Sequence, residues 1–460
     1  MTMWFIDKAA LKRPAYLSLA DQIARAIGDG RLAPGFRLPP HRSMADALDL
    51  SVQTVSRAYE DLIRRGLVSG ETGRGSFVRG ERSEGTLPYI PERLGEIIDL
   101  SILKPVCEPL HLERMQAALI DLAGNLPPST VLSFRPNVVF PRHRAVAVDW
   151  LRLCGLSVEP SNVCLTNGAT AGMTIALMSV ATPGCSIATE AIGHHTLVPL
   201  ATYLGLKLTG LELDGEGILP EALDAACRHD GIRAVFVQPS VIGPTGALMG
   251  GERRAALAAV ARKHDIAIIE NDVLGPLIEH RPPPLAAFAP ERTLYVTSFT
   301  KTVLPGLRTG YLAVPDRMLP AVMNRHLVTN WIATPLIAEL ATRWVADGTA
   351  IELVHWQRQS LRRRQAVAAD ILAGLPYLAH PEGLHVWLPL DSPAAEELFV
   401  AQARLRGVAL APGRSFQTGP IHHPAVRVSV GSTSEAELRT GLSVIAHLHR
   451  SDPEPLLLAI

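Results

Sequence analysis

The segment TLYVTSFTKTVLPGLRTGYL, residues 293–312, begins as an apolar run and then changes to hydroxyl side chains, a lysine and an arginine. Its first part, TLYVTSF (293–299), is short and rich in apolar residues, which is typical of a strand buried on both faces. AVFVQP (234–239) and IAIIEND (266–272) have the same character, and GERRAALAAVARKHD (251–265) between them has the pattern of a helix. This alternation predicts a parallel α/β sheet, in which ligands gather at the carboxyl ends of the strands.

Length and charge distribution indicate more than one domain. The chain has 460 residues, 47% of them apolar, so it can bury a large core and its length favours at least two domains. Acidic and basic residues balance at 44 each, but residues 1–80 contain 12 Lys or Arg and 8 Asp or Glu. The amino-terminal part therefore has a net charge of +4 and the remainder −4. This asymmetry suits a polyanion-binding module attached to a neutral or acidic body.

Cysteine spacing and apolar stretches restrict the class of protein. The five cysteines form no CxxC and no paired Cys/His spacing, which disfavours zinc and fits a reducing cytoplasm. The amino-terminal sequence lacks the apolar region of a signal peptide. The longest uncharged stretch, 163–189, contains glycines and a proline, and its helical part is too short to cross a bilayer. We therefore expect a cytoplasmic protein that neither enters a membrane nor binds a metal.

The first 80 residues have the pattern of three helices and a hairpin. Apolar residues recur at nearly helical spacing over 14–30, and 41–48 supplies a second, shorter helix. Ser51 is suited to cap a third helix over 52–65. GLVSGETGRGSFVRG (66–80) then alternates as two strands around a Gly-Arg-Gly tip. The order predicts a winged helix-turn-helix, whose second motif helix enters the major groove of DNA.

GRLAPGFRLPPHRSMADALDLSVQTVSRAYEDLIRRGLVSGETGRGSFV, residues 30–78, resembles the winged-helix domain of the GntR family over that domain's whole length. The resemblance implies that residues 10–80 bind double-stranded operator DNA. Val52 stands where many members carry an arginine, so a methyl contact would replace a charged one. The alternative is a small helical domain with ordinary solvated cations. By resemblance, the DNA-contacting residues are Arg42 near the phosphates, Ser51, Gln53, Thr54 and Arg57 on the recognition helix, and Arg74 in the minor groove.

The polar residues at the predicted strand ends carry a second resemblance. Their order and approximate spacing resemble those of fold-type I pyridoxal-phosphate enzymes, which have the aspartate aminotransferase fold. With the GntR-like domain, essentially the whole chain resembles the MocR group of transcriptional regulators. The motifs are TNGATAGM (166–173), GPTG (243–246), ENDVLG (270–275), SFTKTVLPGLRTGYL (298–312) and RVS (427–429).

The resemblance also implies the domain organisation of this α/β chain. A small winged helix-turn-helix domain would be followed by a linker at 81–97 and by a large fold-type I, aminotransferase-like effector domain at 98–460. Within the latter, a large subdomain would extend to about residue 330 and a small one from about 331 to 460. Regulators of this group are typically head-to-tail homodimers, so a dimer with two operator half-sites is implied.

Pyridoxal phosphate would be held by its aldehyde, phosphate and ring. The resemblance assigns Lys301 to a Schiff base with the aldehyde, and Ser298 and Arg308 to the phosphate. The phosphate would also lie on the helix start Gly168-Ala169-Thr170, where backbone N–H groups favour an anion, although a simple helix cap is the alternative. The ring would stack on His194, with His195 as the alternative. A metal site at these two histidines is disfavoured, because neighbours on an extended strand point to opposite faces.

Three positions that would contact the ring depart from the family pattern. Gly243 replaces an asparagine, and Leu274 stands where a tyrosine usually follows. Asn271 aligns with the aspartate that pairs with the protonated ring nitrogen, while Asp272 would take that place if the strand were shifted by one residue. Strand alternation favours Asn271. An amide cannot keep the ring nitrogen protonated, so transamination would be slow or absent.

The effector side is better preserved. Arg427 matches the arginine that clamps an amino-acid carboxylate in a bidentate fork, and Leu384 replaces a glycine in a segment where it would narrow the ligand entrance. The favoured hypothesis is a regulator that senses a small amino compound or vitamer through pyridoxal phosphate. The alternatives are a working aminotransferase with an accessory DNA-binding domain, which would need Asp272 at the ring, and a regulator that has lost the cofactor.

Overall fold

In the computed structural model, the chain divides into two compact units, Met1–Leu94 and Gly95–Ile460. The structure describes residues 6–33, 35–65, 67–71, 75–78, 97–132, 141–241, 243–419 and 421–451. The predicted linker at 81–97 lies outside the described residues except for residue 97.

Among its described residues, the smaller unit contains three α-helices and a hairpin, as the sequence predicts. The Ser51 hydroxyl accepts a hydrogen bond from the Thr54 backbone N–H at 3.1 Å, so it is the N-cap of the third helix. Buried Leu19 of the first helix, Met44 of the second and Val55 of the third pack together in one core. The elements are α1 (Ala15–Gly28), α2 (His41–Leu48), α3 (Val52–Arg64), β1 (Val68–Glu71) and β2 (Gly75–Val78).

The larger unit is an α/β domain built on a seven-stranded sheet, which confirms the predicted fold class. Its elements are β3 (Ile98–Asp99), α4 (Pro109–Gly124), α5 (Pro128–Leu132), α6 (Pro141–Leu153), β4 (Val163–Thr166), α7 (Ala169–Val180), β5 (Ser186–Glu190), α8 (Leu197–Tyr203), β6 (Lys207–Leu211), β7 (Leu213–Asp214), β8 (Gly217–Ile218), α9 (Pro220–His229), β9 (Ile232–Val237), α10 (Gly251–Lys263), β10 (Ala267–Asn271), α11 (Leu285–Phe288), β11 (Thr293–Ser298), β12 (Gly310–Ala313), α12 (Leu319–Asn330), α13 (Pro335–Ala346), α14 (Thr349–Ile371), β13 (Leu378–Ala379), β14 (His385–Pro389), α15 (Pro393–Leu405), β15 (Val408–Ala409), β16 (Ala411–Pro412), β17 (Ala425–Ser429) and α16 (Glu435–Arg450).

The sheet has the strand order β4-β12-β11-β10-β9-β5-β6 and is mixed rather than purely parallel. Strand β12 runs antiparallel to both of its neighbours. Only residues 299–309 separate β11 from β12, which is too short for the crossover that a parallel pair needs. This return brings Gly310 opposite both Ser298 and Thr166, so three candidate-site segments meet at one edge.

Alternation along β9 and β10 separates the two faces of the sheet. Phe236 and Ile269 pack in one apolar cluster with Met173 of α7, whereas Ile268 packs with Leu257 of α10 on the other face. Asn271, two residues after Ile269, therefore lies on the α7 face. That face leads to the helix start that the sequence predicts to bind phosphate.

A second sheet, β13-β14-β17-β16, is antiparallel. Val386 and Val428 on one of its faces are buried in the main core. His385 pairs with Ser429 and Trp387 pairs with Arg427 on the other face. The alternation of these two strands therefore gives the sheet one apolar face and one face that carries polar side chains.

Candidate functional site

The predicted phosphate site is built from a glycine turn and an arginine. Gly168 lies between β4 and α7 with φ of 82°, a conformation that favours glycine. A Cβ added there would lie 3.2 Å from Arg308 Nη2, so the guanidinium is packed against the start of α7. Among the described residues, the buried Ser298 Oγ has no hydrogen-bond partner. Backbone N–H groups, a guanidinium and an uncommitted hydroxyl are suited to an anion.

Lys301 follows β11 and is partly buried. Its Nζ donates a hydrogen bond to the Leu103 carbonyl. Burial, followed by the nearby charges of Arg427 and Arg308, lowers the pKa of Lys301 to about 8. A larger fraction of the amine is therefore neutral near pH 7 than for an ordinary lysine, and only the neutral amine is a nucleophile.

The two adjacent histidines do not point to opposite faces, contrary to our expectation. They lie in a turn after β5, and the rings of His194 and His195 stack with centroids 5.1 Å apart. His194 also contacts the edge of Phe236, with centroids 6.2 Å apart. Burial and then the charges of His195, Lys301 and Arg427 lower the pKa of His194 well below its usual range. His194 is consequently a neutral, flat ring above the α7 face of the sheet.

Asn271 and Asp272 have different surroundings. Asn271 is fully buried at the end of β10, and neither its Nδ2 nor its Oδ1 has a hydrogen-bond partner among the described residues. Asp272 Oδ2 accepts hydrogen bonds from Arg281 Nη1 at 2.6 Å and from the Tyr295 hydroxyl at 2.8 Å. One oxygen of the Asp272 carboxylate is therefore held by an ion pair while its Oδ1 has no partner among the described residues, whereas both polar atoms of the Asn271 amide are uncommitted.

The remaining departures from the family pattern have contrasting environments. A Cβ added at Gly243 would meet nothing within 4 Å, so open space replaces the expected asparagine side chain. Leu274 and Leu384 are both fully buried in the main apolar core. Our expectation that Leu384 narrows a ligand entrance is therefore wrong, because the side chain packs inward.

Arg427 of β17 is 6% exposed and lies between a carbonyl and an aromatic ring. Its Nη2 donates to the Ser101 carbonyl at 2.6 Å, and its guanidinium carbon lies 4.7 Å from the Phe416 ring centroid. Burial lowers its pKa to about 10. Its Nε has no partner among the described residues, which leaves a donor for a carboxylate.

Sequence reasoning missed two polar groups near this arginine and near Asn271. His385 Nε2 donates to the carbonyls of Gly243 and Pro244, at 3.1 and 3.0 Å, and burial followed by the charge of Arg427 lowers its pKa to about 3. Gln238 is 6% exposed, and both of its side-chain polar atoms lack a partner among the described residues. A signal existed for Gln238, since it directly follows the apolar strand AVFV.

The predicted DNA-contacting residues lie on the smaller unit. Arg42, Ser51, Gln53 and Arg57 are exposed, and Thr54 is partly buried. The guanidinium of Arg57 lies 4.4 Å from the Tyr16 ring centroid. Arg74 lies outside the described residues. Sequence reasoning missed Arg37. Its backbone forms an isolated antiparallel β-bridge with Phe77, and its Nε would lie 2.9 Å from a Cβ added at Gly75, so the side chain lies beside the wing.

The described residues contain neither a metal-ligand cluster nor a membrane-spanning helix. Within those ranges, no three His, Cys, Asp or Glu side chains are grouped as metal ligands. No helix there has both the length and the apolar character needed to cross a membrane.

Comparison with known families accounts for both units. Residues 127–445 match the model of aminotransferase class I and II, and residues 15–78 match that of the bacterial regulatory proteins of the gntR family. The chain belongs to the class I and II aminotransferase family. Its amino-terminal GntR domain gives it the domain pair of the MocR group, which confirms the resemblance seen in the sequence.

Several curated relatives match this chain over nearly the whole length of both proteins. The HTH-type transcriptional regulator YdeF of Bacillus subtilis is 29% identical, and the match covers 96% of each chain. The pyridoxine biosynthesis transcriptional regulator PdxR of Corynebacterium glutamicum is 26% identical over 93% of this chain and 94% of that protein. The vitamin B6 salvage pathway transcriptional repressor PtsJ of Salmonella typhimurium is 27% identical over 94% and 97%.

Solved structures establish the fold of the larger unit. An archaeal alanine:glyoxylate aminotransferase superposes with a TM-score of 0.70 at 21% identity, covering 77% of this chain and 91% of that one. Thermus thermophilus aspartate aminotransferase, solved with maleate, gives a TM-score of 0.67 at 21% identity, covering 90% and 97%. The large unit therefore has the aspartate aminotransferase fold.

Proposed function

We propose that this protein is a transcriptional regulator that binds operator DNA through residues 10–80 and senses a small amino compound or B6 vitamer through residues 98–460. In this proposal Lys301 holds pyridoxal phosphate as a Schiff base, and Arg427 binds the effector. Two relatives whose names refer to pyridoxine biosynthesis and to vitamin B6 salvage support an effector of this class.

The observation that carries the proposal is the uncharged Asn271. It is buried and uncommitted at the strand end where the family usually has an aspartate, while the neighbouring Asp272 is paired with Arg281. Moving the Asp272 carboxylate to a cofactor ring would break its ion pair with Arg281 and leave that guanidinium without its counter-charge. This contrast favours a sensor over an efficient aminotransferase.

The described residues fit pyridoxal phosphate at each end. Gly168, Arg308 and Ser298 provide N–H groups, a cation and a hydroxyl for its phosphate, and Lys301 provides an amine with a lowered pKa for its aldehyde. When bound, the cofactor supplies an aldehyde that captures amines and a ring that withdraws electrons from the carbon beside the captured nitrogen. Asn271 brings no charge to strengthen that withdrawal, so this chain favours capture over turnover.

The contacts of Lys301 and Arg427 suggest how binding is reported. Lys301 donates to the Leu103 carbonyl and Arg427 donates to the Ser101 carbonyl, so both cations hold one short segment after β3. That segment follows the predicted linker at 81–97. When Lys301 holds the cofactor, its Nζ releases the Leu103 carbonyl, whereas Arg427 can bind a carboxylate through Nε and keep the Ser101 carbonyl, so one cation instead of two then holds the segment. Ligand binding thereby biases a conformational equilibrium that the linker transmits.

A head-to-tail homodimer is part of this proposal. Along α4, Leu112, Leu119 and Ile120 are 62%, 49% and 75% exposed, and Leu132 at the end of α5 is 80% exposed. Apolar side chains that recur on one helical face and remain exposed are typical of an interface. A second copy of this chain is the occupant expected for a two-fold operator reader. Ile120→Lys should shift the protein toward monomer in sedimentation experiments, and a monomeric wild type would contradict the dimer.

The visible absorption spectrum of the protein after reconstitution with pyridoxal phosphate tests the cofactor claim. We expect a band that Lys301→Ala removes and that the control Lys207→Ala, on the exposed start of β6, retains. Absence of the band in fully reconstituted wild type would rule out both a cofactor-dependent sensor and an aminotransferase.

Two further assays separate regulator from enzyme. Incubation with amino acids should give no steady formation of keto acids, and sustained turnover would instead identify an aminotransferase. Binding to a DNA fragment from upstream of its own gene should be detectable at low salt and should weaken as salt rises, because phosphate contacts release counterions. Failure to bind any such fragment, with or without cofactor, would contradict the regulator.

A further inference from the structure

Gln238 and Asn271 form a pair of buried amides at neighbouring strand ends. Glu270 of β10 pairs with Val237 of β9, so the next residues along the two parallel strands are Asn271 and Gln238. Gln238 is 6% exposed and Asn271 is fully buried. All four of their side-chain polar atoms lack a hydrogen-bond partner among the described residues. Such groups are rare in folded proteins and point to a ligand that satisfies them.

The position of the pair identifies the ligand they would meet. Gln238 lies two residues after Phe236, and Asn271 two residues after Ile269, so both amides belong to the α7 face of the sheet. The His194 ring contacts Phe236 on this face. A planar group beneath His194 would therefore have its edge directed at the two amides.

The backbone beside Gln238 is fixed, although its amide is uncommitted. The Gln238 backbone N–H donates to Glu190 Oε1 at 2.6 Å, and the other oxygen of Glu190 accepts from the Thr189 hydroxyl at 3.0 Å. Burial raises the pKa of Glu190 to about 7. Both oxygens of this carboxyl group are thus already used by the protein, and the Gln238 side chain is left to act toward Asn271.

We propose that Gln238 is a positioning residue for Asn271, and that Asn271 donates a hydrogen bond to the unprotonated ring nitrogen of pyridoxal phosphate. The inference rests on the function proposed above. With the cofactor bound, Gln238 Nε2 would donate to Asn271 Oδ1, two atoms that have no partner among the described residues of this structure, and would turn Asn271 Nδ2 toward the ring. The two amides then satisfy each other and the ring nitrogen without any charge, which an aspartate could not do.

The orientation of Asn271 decides the protonation of the ring. An N–H aimed at the ring nitrogen requires a lone pair there, so the ring stays a neutral pyridine and withdraws electrons weakly. The reversed amide would aim an oxygen and favour the protonated ring. Gln238 thereby controls the protonation of the ring nitrogen through the orientation of Asn271. With a neutral ring, the protein holds a captured amine but does not transaminate it.

The test uses full-length protein reconstituted with pyridoxal phosphate labelled with ¹⁵N in the ring, measured by NMR. Neutral and protonated ring nitrogens have well-separated chemical shifts. We expect the neutral shift in wild type and the protonated shift in Asn271→Asp. Gln238→Glu should also move toward the protonated shift, because a carboxylate accepts from Asn271 Nδ2 and turns Asn271 Oδ1 to the ring. The matched control Gln402→Glu, on the partly buried side of α15, should leave the shift unchanged.

Gln238→Leu separates positioning from simple packing. It should keep the neutral shift but weaken cofactor binding by about fivefold, the loss expected for one hydrogen bond. A protonated shift in wild type would overturn the inference without any variant, and so would a Gln238→Glu protein that behaves like Gln402→Glu. Loss of the proposed function would instead be seen earlier, as wild type that forms no Lys301-dependent absorption band.

Discussion

Arg281 and Asp272 form a buried ion pair in which Nη1 and Oδ2 lie 2.6 Å apart. The Tyr295 hydroxyl also donates to the same carboxylate oxygen, at 2.8 Å. Arg281 in turn donates to the Cys154 carbonyl. The charge of Asp272 is thus compensated within the core beside the candidate site, which gives this residue a structural role and leaves Asn271 for the ligand.

Asp272→Asn should therefore destabilise the large unit without abolishing cofactor binding. Removal of one partner leaves Arg281 buried without its counter-charge, and such changes cost about 3–5 kcal/mol. The urea midpoint should fall, while the absorption band of the reconstituted protein at saturating cofactor should persist. A variant with full stability and no band would assign Asp272 to the cofactor instead.

Lys301 should destabilise the cofactor-free protein in a pH-dependent way. Its pKa is lowered from 10.5 to about 8, mainly by burial, so the unfolded chain binds the proton more tightly than the folded one. The loss of folding free energy caused by burying the charged lysine is fully present below pH 8, decreases between pH 8 and 10.5, and is absent above pH 10.5. Lys301→Met should therefore raise the melting temperature at pH 7, with a smaller gain at pH 9.

Two controls belong to that experiment. Lys301→Arg retains a buried charge and should show no such gain, and Lys263→Met changes an exposed lysine that pairs with Asp224. Equal gains for Lys301→Met at both pH values would show that the effect is packing rather than charge.

Gly168→Ala should weaken cofactor binding and the fold together. The added Cβ would lie 3.2 Å from Arg308 Nη2, and the positive φ of 82° costs an alanine about 1–3 kcal/mol. Gly348→Ala is a matched control, because its φ is 87° but nothing lies within 4 Å of the added Cβ. It should lose similar stability without changing affinity for pyridoxal phosphate. Equal cofactor affinity in Gly168→Ala and wild type would argue against the phosphate site.

Arg427→Gln should have two effects with one cause. Loss of its charge should raise the pKa of Lys301, so cofactor capture slows below pH 8. Binding of a carboxylate effector should weaken by about 2–5 kcal/mol, as for other buried charge pairs. Isothermal titration and stopped-flow absorbance measure these effects, with the exposed Arg414→Gln as control. Unchanged affinity for every carboxylate tested would remove Arg427 from the effector site.

Much of the fold could be predicted because its signals are local. The helix 41–48, the Ser51 cap and the three buried strands follow from spacing and composition, and the structure confirms them. The direction of β12 depends on the length of the connection from β11. The apolar pattern of β12 itself does not indicate whether the strand runs parallel or antiparallel. The sequence therefore predicted the class of the sheet but not its antiparallel strand.

The site was less predictable, because its details depend on packing between distant segments. Adjacent His194 and His195 stack since they lie in a turn, which alternation along a strand could not reveal. Leu384 is turned into the core. The placement of Gln238 beside Asn271 depends on the register of β9 and β10, and the ion pair of Asp272 depends on Arg281. Both relationships arise only in the tertiary fold.

The recognition helix offers a last prediction, in which stability and DNA affinity separate. Gln53 is exposed in the first turn of α3, so Gln53→Ala should cost operator affinity, by about 1–3 kcal/mol, but change stability by less than about 0.5 kcal/mol. Ser51→Ala removes the N-cap hydroxyl and should lower the stability of the small unit by about 0.5–2 kcal/mol. Glu60→Ala, exposed in the same helix, is the control. Fluorescence anisotropy with operator and unrelated DNA measures both affinities, and an equal loss of both for Gln53→Ala would show that this residue reads no bases.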